Sequence, residues 1–411
     1  MEKLEGNAIV GQSGGPTSAI NATLSGVIRG VASCKAIKKL YGMRNGIEGF
    51  LQSDIIDLFY LLDNEEELCL LESTPSSALG SCRKKLPSIT EDASLYERIF
   101  QILKDCNIRY FFYIGGNDSM DTVSKLSEYS VKCGYEIRII GIPKTIDNDL
   151  VITDHTPGYG SASKYIATAV KEIARDTSAY LCKSVTIVEI MGRDSGWLTA
   201  AASLPKYFGD ECADLIYLPE VIFSDEKFIS SLNNALLKKP NVVVAVSEGI
   251  RYPNRRYVGE SLQNGSFDSF GHKYLSGAAK KLECLVKEKI GCKSRSLELS
   301  LMQRCSSHIA SQTDIIESIA IGKYAVECAE KGISGKMVIF KRKDTKDYQI
   351  EMSCADASKI ANQVKFVPLN YINSQGNNIT EECMKYVAPL IQGERSIKYE
   401  NGLPVHFKIK Q

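Results

Sequence analysis

The segment Pro143-Lys144-Thr145-Ile146-Asp147-Asn148-Asp149 carries one lysine, one hydroxyl and two carboxylates in a short span. Carboxylates two residues apart, Asp147 and Asp149, beside Lys144 and Thr145, suit the deprotonation of a hydroxyl that lies next to an anion. The same residues also read as an Asx-rich turn whose side chains only bond their own backbone. The surroundings have to decide. The run Ile139-Ile140-Gly141-Ile142 precedes the segment and stops at Pro143. Such a run reads as a buried parallel strand feeding a loop at its carboxyl end, where open α/β sheets place ligands.

Other segments offer groups for an anion. Gly11–Ser18 is a glycine-rich loop between the apolar Ala8–Val10 and a helical pattern at Ile20, Leu24, Val27, Ile28 and Val31. Thr17 or Ser18 can cap that helix, and the free N–H groups at its start face the loop. The spacing is neither a Walker loop nor the dinucleotide fingerprint. Gly80–Arg83 ends a Ser/Thr/Pro-rich stretch in a guanidinium, which suits phosphate oxygens. Gly115-Gly116-Asn117-Asp118-Ser119 is a second glycine-rich turn, set before a helix stepping through Met120, Val123 and Leu126, where Asp118 equally fits an N-cap. Arg193 lies just past the apolar Val185–Ile190. Glu248 follows Asn241–Val246, placed either to accept sugar hydroxyls or to form a surface pair. Arg295 and Arg304 flank the apolar Leu297–Met302.

Strands must deliver these loops and helices must cover the strands. Helical patterns recur at Leu95, Ile99, Ile102 and Leu103, at Ile166, Val170 and Ile173, and at Ile315, Ile319 and Ala325. Strand patterns occur at Tyr110–Ile114 and in a hairpin, Gly335–Phe340 and Tyr348–Met352, around the charged Lys341–Asp347. Strands alternating with helices predict an α/β protein of two doubly wound, Rossmann-like lobes with largely parallel sheets and a cleft between them. The structure-breaking run Asp154–Ser161 marks the lobe boundary, and the polar stretch Arg251–Gly271 reads as an inserted or mobile loop.

A chain of 411 residues exceeds the usual single domain. A net charge of +1 leaves no electrostatic footprint for nucleic acid, and no basic block suggests a membrane patch. Thirteen cysteines are scattered without Cys-x-x-Cys, which predicts free thiols in a reducing cytoplasm. Four histidines show no zinc-type spacing. The start of the chain has no apolar leader pattern, and no run is apolar enough to span a bilayer.

Taken together and in order, Ser13–Thr17, Gly80–Arg83, Gly115–Ser119, Pro143–Asp149, Met191–Arg193, Ser247–Gly249 and Gln303-Arg304 resemble the motifs of the 6-phosphofructokinases, from about Ile9 to the region of Gly335. The resemblance implies a cytoplasmic, Mg²⁺-dependent phosphotransferase acting on fructose 6-phosphate in a reversible glycolytic step. It implies Asp147 as the general base for the 1-hydroxyl. Thr145 and Asp149 would support that hydroxyl and the transferred group, and Arg83 would bridge phosphoryl oxygens. Gly14, Gly15, Asp118, Ser119 and Lys144 match donor positions; Met191, Gly192, Arg193, Glu248 and Arg304 match the sugar-phosphate pocket. Arg295 matches an arginine lent by a neighbouring subunit, hence a homo-oligomer, and Lys183 lies one place before the family's other such arginine. The implied lobes are 1–157 plus about 305–375 for the donor, and about 158–304 plus 376–411 for the sugar phosphate.

Asp118 and Lys144 are the pattern of the pyrophosphate-dependent members, since ATP-using members generally have glycine at 118 and a small residue at 144. A side chain at 118 fills space a nucleotide needs, and a lysine at 144 meets a compact anionic donor. Asn117 departs from the family's aspartate, a magnesium ligand. Its amide oxygen would bind Mg²⁺ more weakly, or shift the metal toward Asp118, Asp149 or the donor. Leu301 is a second departure, at a place where many relatives carry an aromatic residue or histidine. The alternatives are an ATP-dependent enzyme with an unusual donor site and a non-catalytic regulatory subunit. The retained Asp147, Thr145, Asp149 and Arg83 speak against the subunit. A dinucleotide-binding dehydrogenase fits poorly, because Gly-x-Gly-x-x-Gly does not occur.

Overall fold

A computed structural model describes residues 4–61, 64–260 and 277–409. The first strand, β1 (Gly6–Gln12), turns Ala8 and Val10 to one core and Ile9 to another, and all are inaccessible to solvent. Alternate residues buried on both sides require helices on both faces of the sheet. The chain supplies them in order: α1 (Ile20–Ala32), β2 (Ile37–Met43), α2 (Gly46–Leu51), β3 (Ile55–Asp57), α3 (Glu65–Ser73), α4 (Ala93–Asp105), β4 (Ile108–Gly115), α5 (Asn117–Lys132) and β5 (Arg138–Pro143).

The chain then crosses through α6 (Tyr159–Ser178) into a second set: β6 (Ser184–Ile190), α7 (Trp197–Ala200), α8 (Leu204–Tyr207), β7 (Leu215–Tyr217), α9 (Asp225–Lys238), β8 (Asn241–Ser247), α10 (Ala278–Lys289), β9 (Lys293–Glu298) and α11 (Met302–Cys305). It returns to the first set with α12 (Gln312–Glu330), β10 (Lys336–Arg342) and β11 (Ile350–Asp356), and α13 (Glu381–Val387) then packs on the core of the second.

The larger sheet has seven strands in the order β11-β10-β5-β4-β1-β2-β3. Its inner pairs are parallel, and only the edge strands β3 and β11 run antiparallel. The smaller sheet, β7-β8-β6-β9, is parallel throughout. The expected α/β class with two largely parallel sheets is therefore present. Helices α1 and α12 lie against each other so closely that a Cβ on Gly26 would stand 2.1 Å from the Ile319 carbonyl oxygen. Any larger residue at Gly26 would force the two helices apart.

Register decides where the loops emerge. Gln12 pairs with Ile114 and Gly115 with Pro143, so the turns after β1, β4 and β5 leave the large sheet side by side. Ile190 pairs with Ser247, which does the same for β6 and β8 in the small sheet. Of the polar stretch expected as a loop, Arg251 bridges Tyr257, while residues 261–271 lie outside the described residues. Among the described residues no helix is long and apolar enough to cross a membrane.

Candidate active site

In the turn after β1, Ser13 N–H donates to the Ile114 carbonyl at 2.9 Å and Gly14 N–H to the Cys82 carbonyl at 3.0 Å, which pins the glycines against β4 and the Gly80–Arg83 loop. Thr17 Oγ1 accepts from the N–H groups of Ile20 (2.9 Å) and Ala19 (3.2 Å), so the threonine, not Ser18, closes the start of α1. Ser81 Oγ donates to the Gly14 carbonyl at 2.6 Å, tying the Gly80–Arg83 loop to the first turn. Two cations converge over the glycines. Lys144 Nζ donates to the Gly15 carbonyl at 2.7 Å. A Cβ on Gly14 would lie 3.1 Å from Lys144 Nζ, and one on Gly15 would lie 2.9 Å from Arg304 Nη1. Arg304 arrives on α11, from the other side of the cleft, where its carbonyl accepts from Ser18 Oγ at 3.3 Å. The exposed Arg83 adds its charge to both cations. Burial, then the positive charge of Arg304, brings the Lys144 ammonium down to about 7. Asp147 and Asp149 offset part of this positive charge, and a pyrophosphate-sized anion would offset more of it.

The carboxylates stand next to this patch. Asp147 N–H donates to Thr145 Oγ1 at 3.1 Å, and the Asp147 carbonyl accepts from Ser195 Oγ at 3.2 Å. Between the two acids Asn148 is wholly buried with φ of 52°, a left-handed conformation that asparagine tolerates. Burial, then the charge of Asp149, holds Asp147 well above the usual carboxylate range; burial raises Asp149 as well, against its own backbone bond and the Thr145 hydroxyl. A carboxylate raised in this way is a stronger base than a solvated one.

The small sheet completes the cleft. Met191 N–H donates to Gln303 Oε1 at 3.1 Å, and Gly192 N–H donates to Glu248 Oε1 at 3.2 Å. Burial pushes the Glu248 carboxyl up to about 8, despite the Gly192 hydrogen bond. Arg193 Nε and Arg251 Nη2 share Asp194, at 2.9 and 2.7 Å.

The remaining expected residues fall elsewhere or do something further. Ser119 is buried at the start of α5, and Asp118, in the first turn of that helix, meets Lys85 at 3.9 Å; the capping position belongs to Gly116. Asn117 turns both ends of its amide to the segment that follows β11, accepting from Asn362 N–H and donating to the Gln363 carbonyl. Arg295 is exposed on β9 opposite Thr186, roughly 16 Å along the strand direction from Met191 at about 3.3 Å per residue. Lys183 is exposed ahead of β6, at the same end of the sheet. Neither is brought to the cleft of its own chain.

Sequence reading passed over Lys365, Glu220, Gln303's contact to Met191, and Arg251. It also left His155 without a role. His155 is buried against Phe340, with Nδ1 2.9 Å from Asp154 Oδ2 and Nε2 2.7 Å from Glu317 Oε2. It braces the loop from behind. Among the described residues no group of three or more His, Cys, Asp or Glu could hold a metal ion by itself.

Comparison with known proteins identifies the family. The phosphofructokinase family model matches residues 7–329. The chain is 41% identical over 401 residues to a pyrophosphate–fructose 6-phosphate 1-phosphotransferase of Methylococcus capsulatus, covering 97% of this chain and 94% of the relative. It is 40% identical over 404 residues to the protein of that name from Halomonas elongata, with the same coverage. The crystal structure of a pyrophosphate-dependent phosphofructokinase from Nitrosospira multiformis superposes with a TM-score of 0.87 at 37% identity, over 97% of this chain and 95% of the other.

Proposed function

This chain belongs to the phosphofructokinase family, and from that premise we infer the reaction of its cleft: transfer of a phosphoryl group from pyrophosphate to the 1-hydroxyl of fructose 6-phosphate. The observation that carries the donor is Lys144, whose ammonium is fixed on Gly15 beside Arg304, with Asp118 occupying the helix start where a nucleotide would need space.

Asp147 takes the proton of the 1-hydroxyl, and the freed oxygen attacks the terminal phosphorus. The new C–O–P bond forms as the P–O–P bridge breaks, and phosphate leaves. Phosphoryl transfer asks little covalent chemistry of a protein, so positioning and charge do most of the work. Lys144, Arg83 and the Gly14-Gly15 turn receive the donor. Thr145 and Asp149 flank the base. Arg193, Glu248, Met191, Gly192 and Arg304 hold the sugar phosphate.

Magnesium fits this site with few protein ligands. Asp118 keeps oxygen capacity because Lys85 is beyond hydrogen-bond reach, whereas Asn117's amide is engaged by residues 362 and 363. Mg²⁺ commonly takes one or two carboxylates and completes its shell with phosphate oxygens and water. Asp118 would hold it, and it would supply positive charge to neutralise the transferred group.

The seven-stranded sheet with its helices acts as the donor lobe and the four-stranded one as the sugar-phosphate lobe. Arg295, remote from its own cleft and exposed, serves a neighbouring subunit. The test of the whole reading is purified activity on fructose 6-phosphate with pyrophosphate against ATP, with and without Mg²⁺. Turnover with ATP and none with pyrophosphate would overturn it.

A further inference from the structure

Residues 362–367 run past the loops of both lobes and bond to each in turn. Asn362 and Gln363 hold Asn117. Lys365 N–H donates to the Asp149 carbonyl at 2.8 Å, and the Lys365 carbonyl accepts from Trp197 Nε1 at 2.9 Å. Val367 N–H donates to Glu220 Oε1 at 2.9 Å, the atom that also receives Gly196 N–H at 2.9 Å. The start of the donor helix, the base loop and the loop after β6 therefore share one fastening, which lies beyond the residues matched by the family model.

The Lys365 side chain turns inward from this segment. Its ammonium donates to Asn148 Oδ1 (3.0 Å), the Asp154 carbonyl (2.8 Å) and the Thr153 carbonyl (3.2 Å), so all three of its donors are used. Asn148 is also tied by Nδ2 to Tyr386 Oη at 3.1 Å, and that hydroxyl donates to the Asp154 carbonyl at 2.6 Å.

We propose that Lys365 is a positioning residue for phosphoryl transfer, its ammonium locking Asn148 in the left-handed turn that fixes Asp147 and Asp149 relative to each other. The physical need is plain. A left-handed non-glycine residue persists only where its surroundings over-determine it. Asn148 stands between the base and its neighbour, so releasing it lets both carboxylates drift. A misplacement of about 1 Å at a reacting centre can lower the rate on the order of 10²-fold. Three directional bonds from one cation, two of them to backbone carbonyls past the loop, hold both ends of the turn. A methionine fills the same space and makes none of them.

The inference rests on Asp147 being the base, and the experiment separates the two. Steady-state kinetics of the full chain are compared for Lys365→Met, Asn148→Gly, their combination, Lys365→Arg and Asp147→Asn. Lys365→Met and Asn148→Gly are each expected to lower kcat by about 10–100-fold with KM for both substrates within about threefold. The double variant should be no worse than Lys365→Met, because both changes break one link. Lys365→Arg, which keeps charge and donors, should recover at least about a tenth of parental kcat. A kcat within threefold of the parent in the single variants, additive losses, or a loss confined to KM would overturn the positioning role. If Lys365→Met does not fold, Asn148→Gly decides by the same readouts, since glycine keeps the left-handed backbone. Normal turnover by Asp147→Asn would instead sink the base assignment; an inactive Asp147→Asn beside a normal Lys365→Met sinks only the present inference.

Discussion

Lys144 Nζ lies 2.7 Å from the Gly15 carbonyl oxygen, joining the lysine of the base loop to the glycine turn of another strand. The proposed donor site is thus assembled in the free protein, and its charge is held where burial and Arg304 bring the lysine down to about 7.

The pH dependence follows from that. A base with a lowered folded value loses its proton as pH rises through about 7, so the free enzyme loses donor-site charge there. The kcat/KM for pyrophosphate, which reports the free enzyme, should fall above about pH 7. Lys144→Arg should move that alkaline limb upward by at least about one pH unit, whatever it does to the rate, because a guanidinium stays protonated. An alkaline limb that does not move in Lys144→Arg would assign it to another group.

Asp147 is pushed up by burial and by Asp149. Asp147→Ala should lower kcat by roughly 10²–10⁴-fold, the usual worth of a general base. Titration calorimetry should find fructose 6-phosphate binding within about threefold of the parent, since the proposed sugar-phosphate contacts lie on the other lobe. Surviving turnover would refute the role.

Glu248 couples function to stability. Its carboxyl is raised to about 8 by burial, so the folded state holds a proton that the unfolded state releases above about 4.5. Stability contributed by this group is full below that lower value and is lost as pH rises toward 8. Glu248→Gln should therefore gain thermal stability over the parent between pH 5 and pH 8, by about 1 °C at the alkaline end for each kcal/mol relieved in a chain of this length. The same change should raise KM for fructose 6-phosphate about 10-fold, because the carboxyl oxygen not engaged by Gly192 N–H becomes an amide donor facing the sugar hydroxyl. Equal Tm differences at pH 5 and pH 8 would mean that the carboxyl is already ionised in the folded protein.

What the sequence made legible was local. Gly115–Ser119, Pro143–Asp149 and Met191–Arg193 each carry their chemistry within a few residues and follow an apolar run, so strand, turn and role read together. Strand β9 went unread because Lys293–Glu298 is an edge strand with charged and hydroxyl side chains and no apolar run. Lys365 and Glu220 went unread for a different reason. Their partners lie far away in sequence: Lys365 is 217 residues from Asn148, and Val367 is 147 from Glu220. No spacing encodes such contacts. Asn117 is the middle case, since its departure from the family's aspartate was visible and the reason for it was not.

That reason can be tested. The Asn117 amide both accepts from Asn362 N–H and donates to the Gln363 carbonyl, and a carboxylate can do only the first. Asn117→Asp would set a negative oxygen against a carbonyl that loses its donor, at a cost of about 1–3 kcal/mol. Thermal denaturation should show a Tm lower by about 1–4 °C, at about 1 °C per kcal/mol for a chain of this length. The Mg²⁺ concentration for half-maximal activity should stay within about threefold of the parent, because the proposed protein ligand is Asp118 rather than residue 117. A half-saturation lowered about tenfold or more, with Tm unchanged, would return the metal to position 117 and leave the amide without the fastening role given to it here.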